Sequence, residues 1–120
     1  MSGDEKNMIR FDIAGPDGVK EVHERASVSR DDEIYKILWG GPSDLLEITI
    51  PVSLGSGYYD FPGRVTVSRS RYDDNNKLRE VVGSLVLLKG DNESSLIFHG
   101  SFETDKDKYF INSGFFSMDL

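Results

Sequence analysis

Apolar and polar residues alternate along most of this chain, which predicts β-strands with one buried face. In residues 9–13, apolar side chains at every second position are separated by Arg10 and Asp12. Residues 44–53 and 64–72 repeat the alternation. Because successive side chains of a strand point to opposite faces of its sheet, a period of two is typical of half-buried strands. We therefore expect an all-β fold.

Short polar clusters separate these segments and predict tight turns. In Gly-Pro-Asp-Gly at residues 15–18, proline presets φ at the first turn position and glycine supplies a positive φ. Further clusters lie at residues 73–76, 90–93 and 104–108. This spacing predicts about eight strands in a single antiparallel β-sandwich or up-and-down β-barrel. A meander is the simplest connection, because consecutive strands are usually neighbours.

Three segments are less regular. Residues 31–39 fit either a strand or the one short helix of the fold, and we favour the strand because isoleucine, tyrosine and tryptophan prefer extended backbone. Residues 54–63 form the longest predicted loop. Residues 19–30 predict a long polar return strand in which Glu24 falls on the apolar face. We expect an exposed edge or a bulge there.

The chain of 120 residues is short enough for one domain. We expect a disordered N-terminal tail at residues 1–7 and a single all-β domain at residues 8–120. The absence of cysteine excludes a disulfide scaffold, a thiol nucleophile and cysteine-ligated metal sites. The start lacks the apolar run of a secretory signal, and no apolar stretch approaches the roughly 20 residues that span a bilayer. These features predict a cytoplasmic protein that does not enter a membrane.

The formal net charge of −7 argues against general nucleic-acid binding, which requires a basic surface that displaces counterions from phosphates. Residues 64–89 are the exception, with six basic and three acidic residues. Arg64, Arg69 and Arg71 in this stretch are candidates for binding a small anion or the acidic patch of a partner. The alternative is an edge strand whose charges protect it from aggregation.

Residues 58–63, Tyr-Tyr-Asp-Phe-Pro-Gly, gather aromatic side chains within the longest predicted loop. Tyr58, Tyr59 and Phe61 are candidate recognition residues, because large aromatic side chains bury much area at little entropy cost. The alternative is a structural role, in which the loop folds back, buries Phe61 and caps one end of the fold.

The sequence shows no motif for catalysis or metal binding. His23 and His99 fall in strands without a nucleophile motif beside them. In a meander, one end would collect aspartates, whose oxygens are the ligands that calcium prefers. These are Asp17, Asp44, Asp73, Asp74, Asp105 and Asp107. Because they match no calcium-loop motif and aspartate is common in turns, we expect turn formation, no metal and no cofactor.

These features favour a small, acidic, non-enzymatic binding module that uses the aromatic loop and the charged sheet face. An inhibitor-like protein is a specialised version of this prediction. Its partner is expected to be a protein or a small-molecule ligand. One alternative is a β-barrel that carries a small apolar ligand, since strands rich in valine, leucine and phenylalanine suit a lined cavity as well as a filled core. The other is an enzyme that uses carboxylates and histidine, such as Asp60 with His99, which would have to meet in one cleft.

Overall fold

Two antiparallel β-sheets face each other in the computed structural model, which describes residues 7–119. The strands are β1 (Met8–Gly15), β2 (Gly18–Arg25), β3 (Ser27–Arg30), β4 (Ile34–Gly41), β5 (Asp44–Pro51), β6 (Gly57–Phe61), β7 (Thr66–Arg71), β8 (Arg79–Glu80), β9 (Val82–Lys89), β10 (Glu93–Glu103) and β11 (Lys108–Asp119). A 3-10 turn, Tyr72–Asp74, follows β7. The predicted all-β class and antiparallel sandwich are confirmed. The barrel alternative is wrong, because the described strands form two separate sheets.

The strands are divided between a six-stranded sheet and a five-stranded sheet. The six-stranded sheet has the order β2-β1-β11-β10-β9-β6, and the five-stranded sheet has the order β3-β4-β5-β7-β8. Local meanders are present at β3-β4-β5 and β9-β10-β11, but the chain changes sheet after β2, β5, β6 and β8. The expected single meander is therefore wrong. An amphipathic sheet must cover its apolar face, and here a second sheet of the same chain covers it.

Within the segment 31–39, residues 34–39 are extended, so the strand prediction is confirmed there and the helix alternative is wrong. Strand β4 buries a side chain at every second position: Tyr35, Ile37 and Trp39. The preceding acidic residues serve a tight turn, because Asp31 Oδ1 accepts the backbone N–H groups of Glu33 and Ile34 at 2.7 and 2.8 Å. Asp31 thus belongs to the β3–β4 turn and not to the start of a helix.

The predicted loop at residues 54–63 is wrong in its second half, which contains β6. This strand pairs antiparallel with β9 and forms one edge of the six-stranded sheet. Tyr59 and Phe61 pack on the core side, whereas Tyr58 is exposed to solvent. The glycines around this short strand hid its alternation in the sequence.

The two ends of the chain are described to different extents. Of the predicted N-terminal tail, residues 1–6 lie outside the described part of the chain, as does Leu120 at the other end. Asn7 is hydrogen-bonded on both sides, since its N–H donates to Ser117 O at 3.0 Å and its carbonyl accepts from Ala26 N at 2.8 Å. Within the described residues, no helix has the length and apolar character needed to cross a membrane.

One hydrophobic core lies between the sheets. Both sheets supply its fully buried apolar side chains, among them Ile9, Phe11, Ile37, Leu46, Ile48, Ile50, Leu87, Leu96, Ile111, Phe116 and Met118. Glu24 lies on the inner side of β2, where it accepts a hydrogen bond from the Trp39 indole N–H at 3.2 Å. Because β2 is an edge strand, the predicted edge at this position is confirmed, and the carboxylate keeps contact with water.

Phe98→Ala is expected to lower the free energy of unfolding by about 3–5 kcal/mol, because truncating a buried phenylalanine leaves a cavity. Phe98 is 3% exposed, and its ring centroid lies 6.5 Å from that of Phe11. The adjacent His99→Ala removes an exposed side chain bonded to Ser84 Oγ at 2.9 Å, which is worth about 1 kcal/mol. Urea denaturation measures both. Equal losses would mean that the two faces of β10 are misassigned.

Candidate functional site

Arg69 and Arg71 continue the buried face of β7. Val65, Val67 and Arg69 are 0%, 1% and 2% exposed, and Arg71 is partly buried. The protected-edge interpretation is wrong, because β7 lies between β5 and β8 and Arg69 points inward. The period of two that places the valines inward also carries both guanidinium groups into the space between the sheets.

The two arginines belong to a column of cations and rings, here called the arginine–aromatic stack: Trp39, Arg69, Phe102, Tyr109 and Arg71. The guanidinium carbon of Arg69 lies 5.3 Å from the ring centroid of Trp39 and 5.9 Å from that of Phe102. The Phe102 and Tyr109 rings stack with centroids 5.1 Å apart, and Arg71 lies 4.7 Å from the Tyr109 centroid. Because aromatic faces attract cations, the stack joins β4 and β7 of one sheet to β10 and β11 of the other.

The positive charge of Arg69 is buried and only partly compensated. Arg69 Nη2 forms an ion pair with Asp44 Oδ1 at 2.5 Å, and Arg69 Nη1 donates to the Leu45 carbonyl at 3.4 Å. The ion pair does not have hydrogen-bond geometry, and neither Asp44 Oδ1 nor Arg69 Nε has a hydrogen-bond partner among the described residues. Burial lowers the pKa of the Arg69 guanidinium, while the Asp44 charge opposes that shift. A further negative charge nearby would therefore stabilise this guanidinium.

A cleft open to solvent lies beside Arg69, where the β1–β2 turn meets the ends of β5 and β7. Lys20, Asp44, Arg69, Arg71 and Tyr109 line this cleft together with Ile13 and residues of the turn. Its volume is about 210 Å³. Pockets for drug-sized ligands have roughly 300–1,000 Å³, so the cleft fits a smaller group. Its lining carries three cationic side chains, two carboxylates (Asp17 and Asp44) and the Tyr109 ring.

Two glycines allow the β1–β2 hairpin to approach Tyr109. A Cβ atom at Gly15 would lie 2.5 Å from the Tyr109 ring, and Gly18 has a φ of +109°, where other residues are strained. The hairpin register then pairs Ile13 with Lys20. Because paired residues share a face, the Lys20 side chain lies on the inner side of β2 and reaches the cleft.

The acidic turns and the basic stretch meet in an ion-pair network around Arg79. Arg79 donates to both carboxylate oxygens of Asp74 at 2.7 and 2.9 Å and lies 3.2 Å from Asp105. Lys77 also pairs with Asp105, at 3.3 Å. Hydrogen bonds from Arg79 hold the pKa of Asp74 below its ordinary value, and those from Lys77 and Arg79 do the same for Asp105. The network links the β7–β8 turn to the β10–β11 turn.

Four of the aspartates predicted at this end have cationic partners: Asp44, Asp73, Asp74 and Asp105. Asp44 pairs with Arg69, and Asp73 pairs with Arg71 at 3.1 Å. In the part of the chain that the structure describes, no group of histidine, aspartate and glutamate side chains is arranged to hold a metal ion. These carboxylates balance the basic stretch and shape the turns.

The other predicted site residues do not line the cleft. Tyr58 is 65% exposed on the outer face of the six-stranded sheet. Tyr59 packs against the core and donates its hydroxyl to a backbone carbonyl at 2.7 Å. Phe61 is 2% exposed, so it is buried as the structural alternative expects. Arg64 is exposed and its Nη2 lies 3.5 Å from a serine hydroxyl. The structure thus places Arg69 and Arg71 together in the cleft wall and keeps the aromatic residues of segment 58–61 away from it.

Several residues of the cleft and its stack were not among the predicted binding residues: Lys20, Trp39, Asp44, Phe102 and Tyr109. The signal that was available is the alternation in β7, which puts Arg69 and Arg71 on the same face as Val65 and Val67. A charged residue at a core position requires partners from facing strands. The identity of those partners depends on the pairing of distant strands.

Asp60 and His99 lie in one cross-strand row on the outer face of the six-stranded sheet, on either side of Ser84. Ser84 Oγ lies 2.9 Å from His99 Nε2. In a catalytic triad the histidine stands between the serine and the carboxylate and is oriented by the latter. Here the serine is in the middle, so Asp60 is not placed to orient the imidazole.

The chain matches no protein-family model, no curated protein sequence and no solved structure. The geometry of the cleft is therefore the basis for assigning a function.

Asp44→Asn is expected to lower the free energy of unfolding by about 1–3 kcal/mol, because it removes the charge that compensates a buried guanidinium. Arg69→Met should cost less, since the Asp44 side chain is 33% exposed and can be hydrated. The double variant should resemble Arg69→Met alone. Urea denaturation of the three variants gives the coupling energy, and losses that simply add would contradict the pairing.

The ion-pair network around Arg79 predicts acid sensitivity. Asp74 and Asp105 have pKa values lowered below the ordinary 3.8, so their pairs stabilise the fold above pH 3.8. That contribution falls as the pH drops below 3.8 and is gone below the lowered folded values. Denaturation at a series of acidic pH values should show a smaller loss in Asp74→Asn than in the parent. The control is Asp60→Asn, outside the network, and an unchanged slope in Asp74→Asn would refute the assignment.

Proposed function

We propose that this protein is a small non-enzymatic binding module that holds an anionic group of a partner in the cleft beside Arg69. The observation that carries the proposal is the buried guanidinium of Arg69 at the wall of an open cleft, with an Nε–H group that has no hydrogen-bond partner among the described residues. A charge in that position is costly unless a counter-charge is near. An anion in the cleft would add a second counter-charge to that of Asp44.

The positions of the other cations support an anion of modest size. Lys20 approaches from the six-stranded sheet and Arg71 from the five-stranded sheet, and both line the same cleft as Arg69. Asp17 and Asp44 also line the cleft. Asp44 pairs with Arg69 and Asp73 pairs with Arg71, which leaves Lys20 as the lining cation without an ion pair among the described residues. A volume of about 210 Å³ suits a carboxylate-bearing side chain or an anion of similar size.

The net charge of −7 acts against anion binding only at long range. At physiological salt, exposed charges separated by more than roughly 8 Å are largely screened. The partly buried charges of the cleft are screened much less, so they dominate the interaction once a ligand has entered. The acidic exterior also disfavours long polyanions, which would pass over many surface carboxylates.

This proposal is supported better than the two alternatives. A carrier of apolar ligands was expected of a closed barrel, whereas the described strands form a two-sheet sandwich around a core of packed side chains. Enzyme chemistry by Asp60 and His99 lacks a carboxylate placed to orient the imidazole. The inhibitor-like role and the cytoplasmic location stay predictions.

Titration with N-acetylaspartate, and separately with inorganic phosphate, followed by amide NMR spectra, tests the proposal. We expect saturable shifts at Lys20, Arg71 and Tyr109. Arg71→Gln should weaken binding by about tenfold or more, because a hydrogen bond to a charged group is lost. Lys108→Ala is the matched control, since Lys108 is an exposed cation on the same strand as Tyr109 and lies over Phe110.

Two outcomes would contradict the proposal. One is the absence of a saturable response in the cleft with both anions. The other is equal weakening by Lys108→Ala and Arg71→Gln, which would indicate unspecific attraction to surface cations.

A further inference from the structure

Strand β2 forms an edge of the six-stranded sheet. In the described chain no strand pairs with the side of β2 that faces away from β1, here called its outer side. Its pairing with β1 begins at Gly15 and Gly18, which close the hairpin. Further along, the Ala26 N–H donates to Asn7 O on the β1 side. Backbone groups of successive strand residues point to opposite sides. The residues that direct N–H and C=O groups away from β1 are therefore Val19, Glu21 and His23.

This outer side runs directly into the cleft. The first residues of β2, from Gly18 to Lys20, are part of the cleft wall. An added strand would place the residue opposite Lys20 on the same inner face, with the two Cβ atoms about 4.5–5.5 Å apart. A carboxylate at that position would enter the space that Arg69 and Arg71 also line.

We propose that the anionic group belongs to an extended acidic segment of a partner protein, which adds as an antiparallel strand to the outer side of β2. The proposal rests on the anion-binding function proposed above and names the partner that supplies the anion. Backbone hydrogen bonds provide affinity in this mode of recognition, and side-chain pockets provide specificity. Here the cleft is the pocket and the acidic side chain opposite Lys20 is its occupant.

The form of β2 favours strand addition. Its eight residues pair with β1 in continuous register from Met8–Arg25 to Gly15–Gly18. Natural edges are blocked by shortness, proline, a bulge or inward-pointing charges. Strand β2 has no proline or bulge between its ends, and its inward charges are Lys20 and Glu24. Val19 is 70% exposed beside the cleft and offers apolar contact.

Charge also fixes the register of the added strand. Lys20 and Glu24 both lie on the inner face of β2, and Glu24 is engaged by the Trp39 indole. Like charges directly opposite each other are destabilising and opposite charges are stabilising. An acidic residue is therefore favoured opposite Lys20 and disfavoured opposite Glu24.

The probe is a capped hexapeptide, acetyl-Thr-Thr-Val-Thr-Asp-Thr-amide, which in antiparallel register places valine opposite Val22 and aspartate opposite Lys20. We expect it to bind at least about tenfold more tightly than N-acetylaspartate, because backbone hydrogen bonds add to the anion contact. Hydrogen exchange should slow at the amides of Val19, Glu21 and His23. Replacing the aspartate of the peptide by asparagine should lower its affinity, because the cleft no longer contributes to the binding free energy.

Two changes test the backbone contacts separately from the charge. N-methylation of the fourth peptide residue, opposite Glu21, removes one N–H and should weaken binding by about tenfold or more. In the protein, Glu21→Pro removes an N–H that faces away from β1, a position where edge strands tolerate proline. This variant should bind N-acetylaspartate normally and lose the advantage of the hexapeptide. Glu21→Ala is its matched control and should retain that advantage.

The results separate the two proposals. Normal binding of the N-methylated peptide, or no advantage of the hexapeptide over N-acetylaspartate, would overturn strand addition and leave the anion site standing. Absence of any anion response would overturn the proposed function and strand addition together. A concentration-dependent dimer that Glu21→Pro abolishes would assign the edge to a second copy of this chain and overturn the peptide proposal.

Discussion

The structure at one end of the sandwich depends on the burial of a single guanidinium. Taking the charge of Arg69 out of water costs several kcal/mol unless charges, dipoles and rings replace the lost hydration. The replacements are the Asp44 carboxylate, the Leu45 carbonyl and the faces of Trp39 and Phe102. These groups come from both sheets. The contacts that stabilise this one charge therefore also fix the position of the two sheets relative to each other at this end.

The cleft follows from the same charge. Apolar side chains of facing sheets close onto each other, because contact removes their surface from water. Charged side chains resist such closure, since each loses hydration as the gap narrows. Lys20, Arg69 and Arg71 gather at the corner where the β1–β2 turn approaches β7. The sheets therefore leave an opening there, whereas apolar side chains of the core pack against each other between the sheets.

The local features of the fold could be predicted from the sequence because they depend on alternation and on turn residues. The hairpin at residues 15–18, the edge position of Glu24 and the inward face of β7 all follow from spacing within one segment. The division into two sheets could not be predicted, because it depends on which distant strands pair. Strand β6 was missed because its five residues lie among glycines, too short for a clear period.

Only the local part of the candidate site could be predicted from the sequence, because its other residues come from strands that are distant in the chain. Arg69 and Arg71 were candidates because of their charge. Extending the period of two from Val65 would have placed their side chains on the buried face of the strand. Their partners Trp39 and Tyr109 are far away in the sequence and carry no motif. The aromatic segment at residues 58–61 stood out only by composition, which does not distinguish a packed edge strand from a recognition loop.

The close approach of Gly15 to Tyr109 makes the cleft wall sensitive to the size of a single side chain. The smallest side chain at position 15 would press on the ring that Arg71 covers. One methyl group would thus disturb the stack and the cleft wall beside it without altering any charge. The shape of this opening therefore depends on a missing side chain as much as on the charged groups around it.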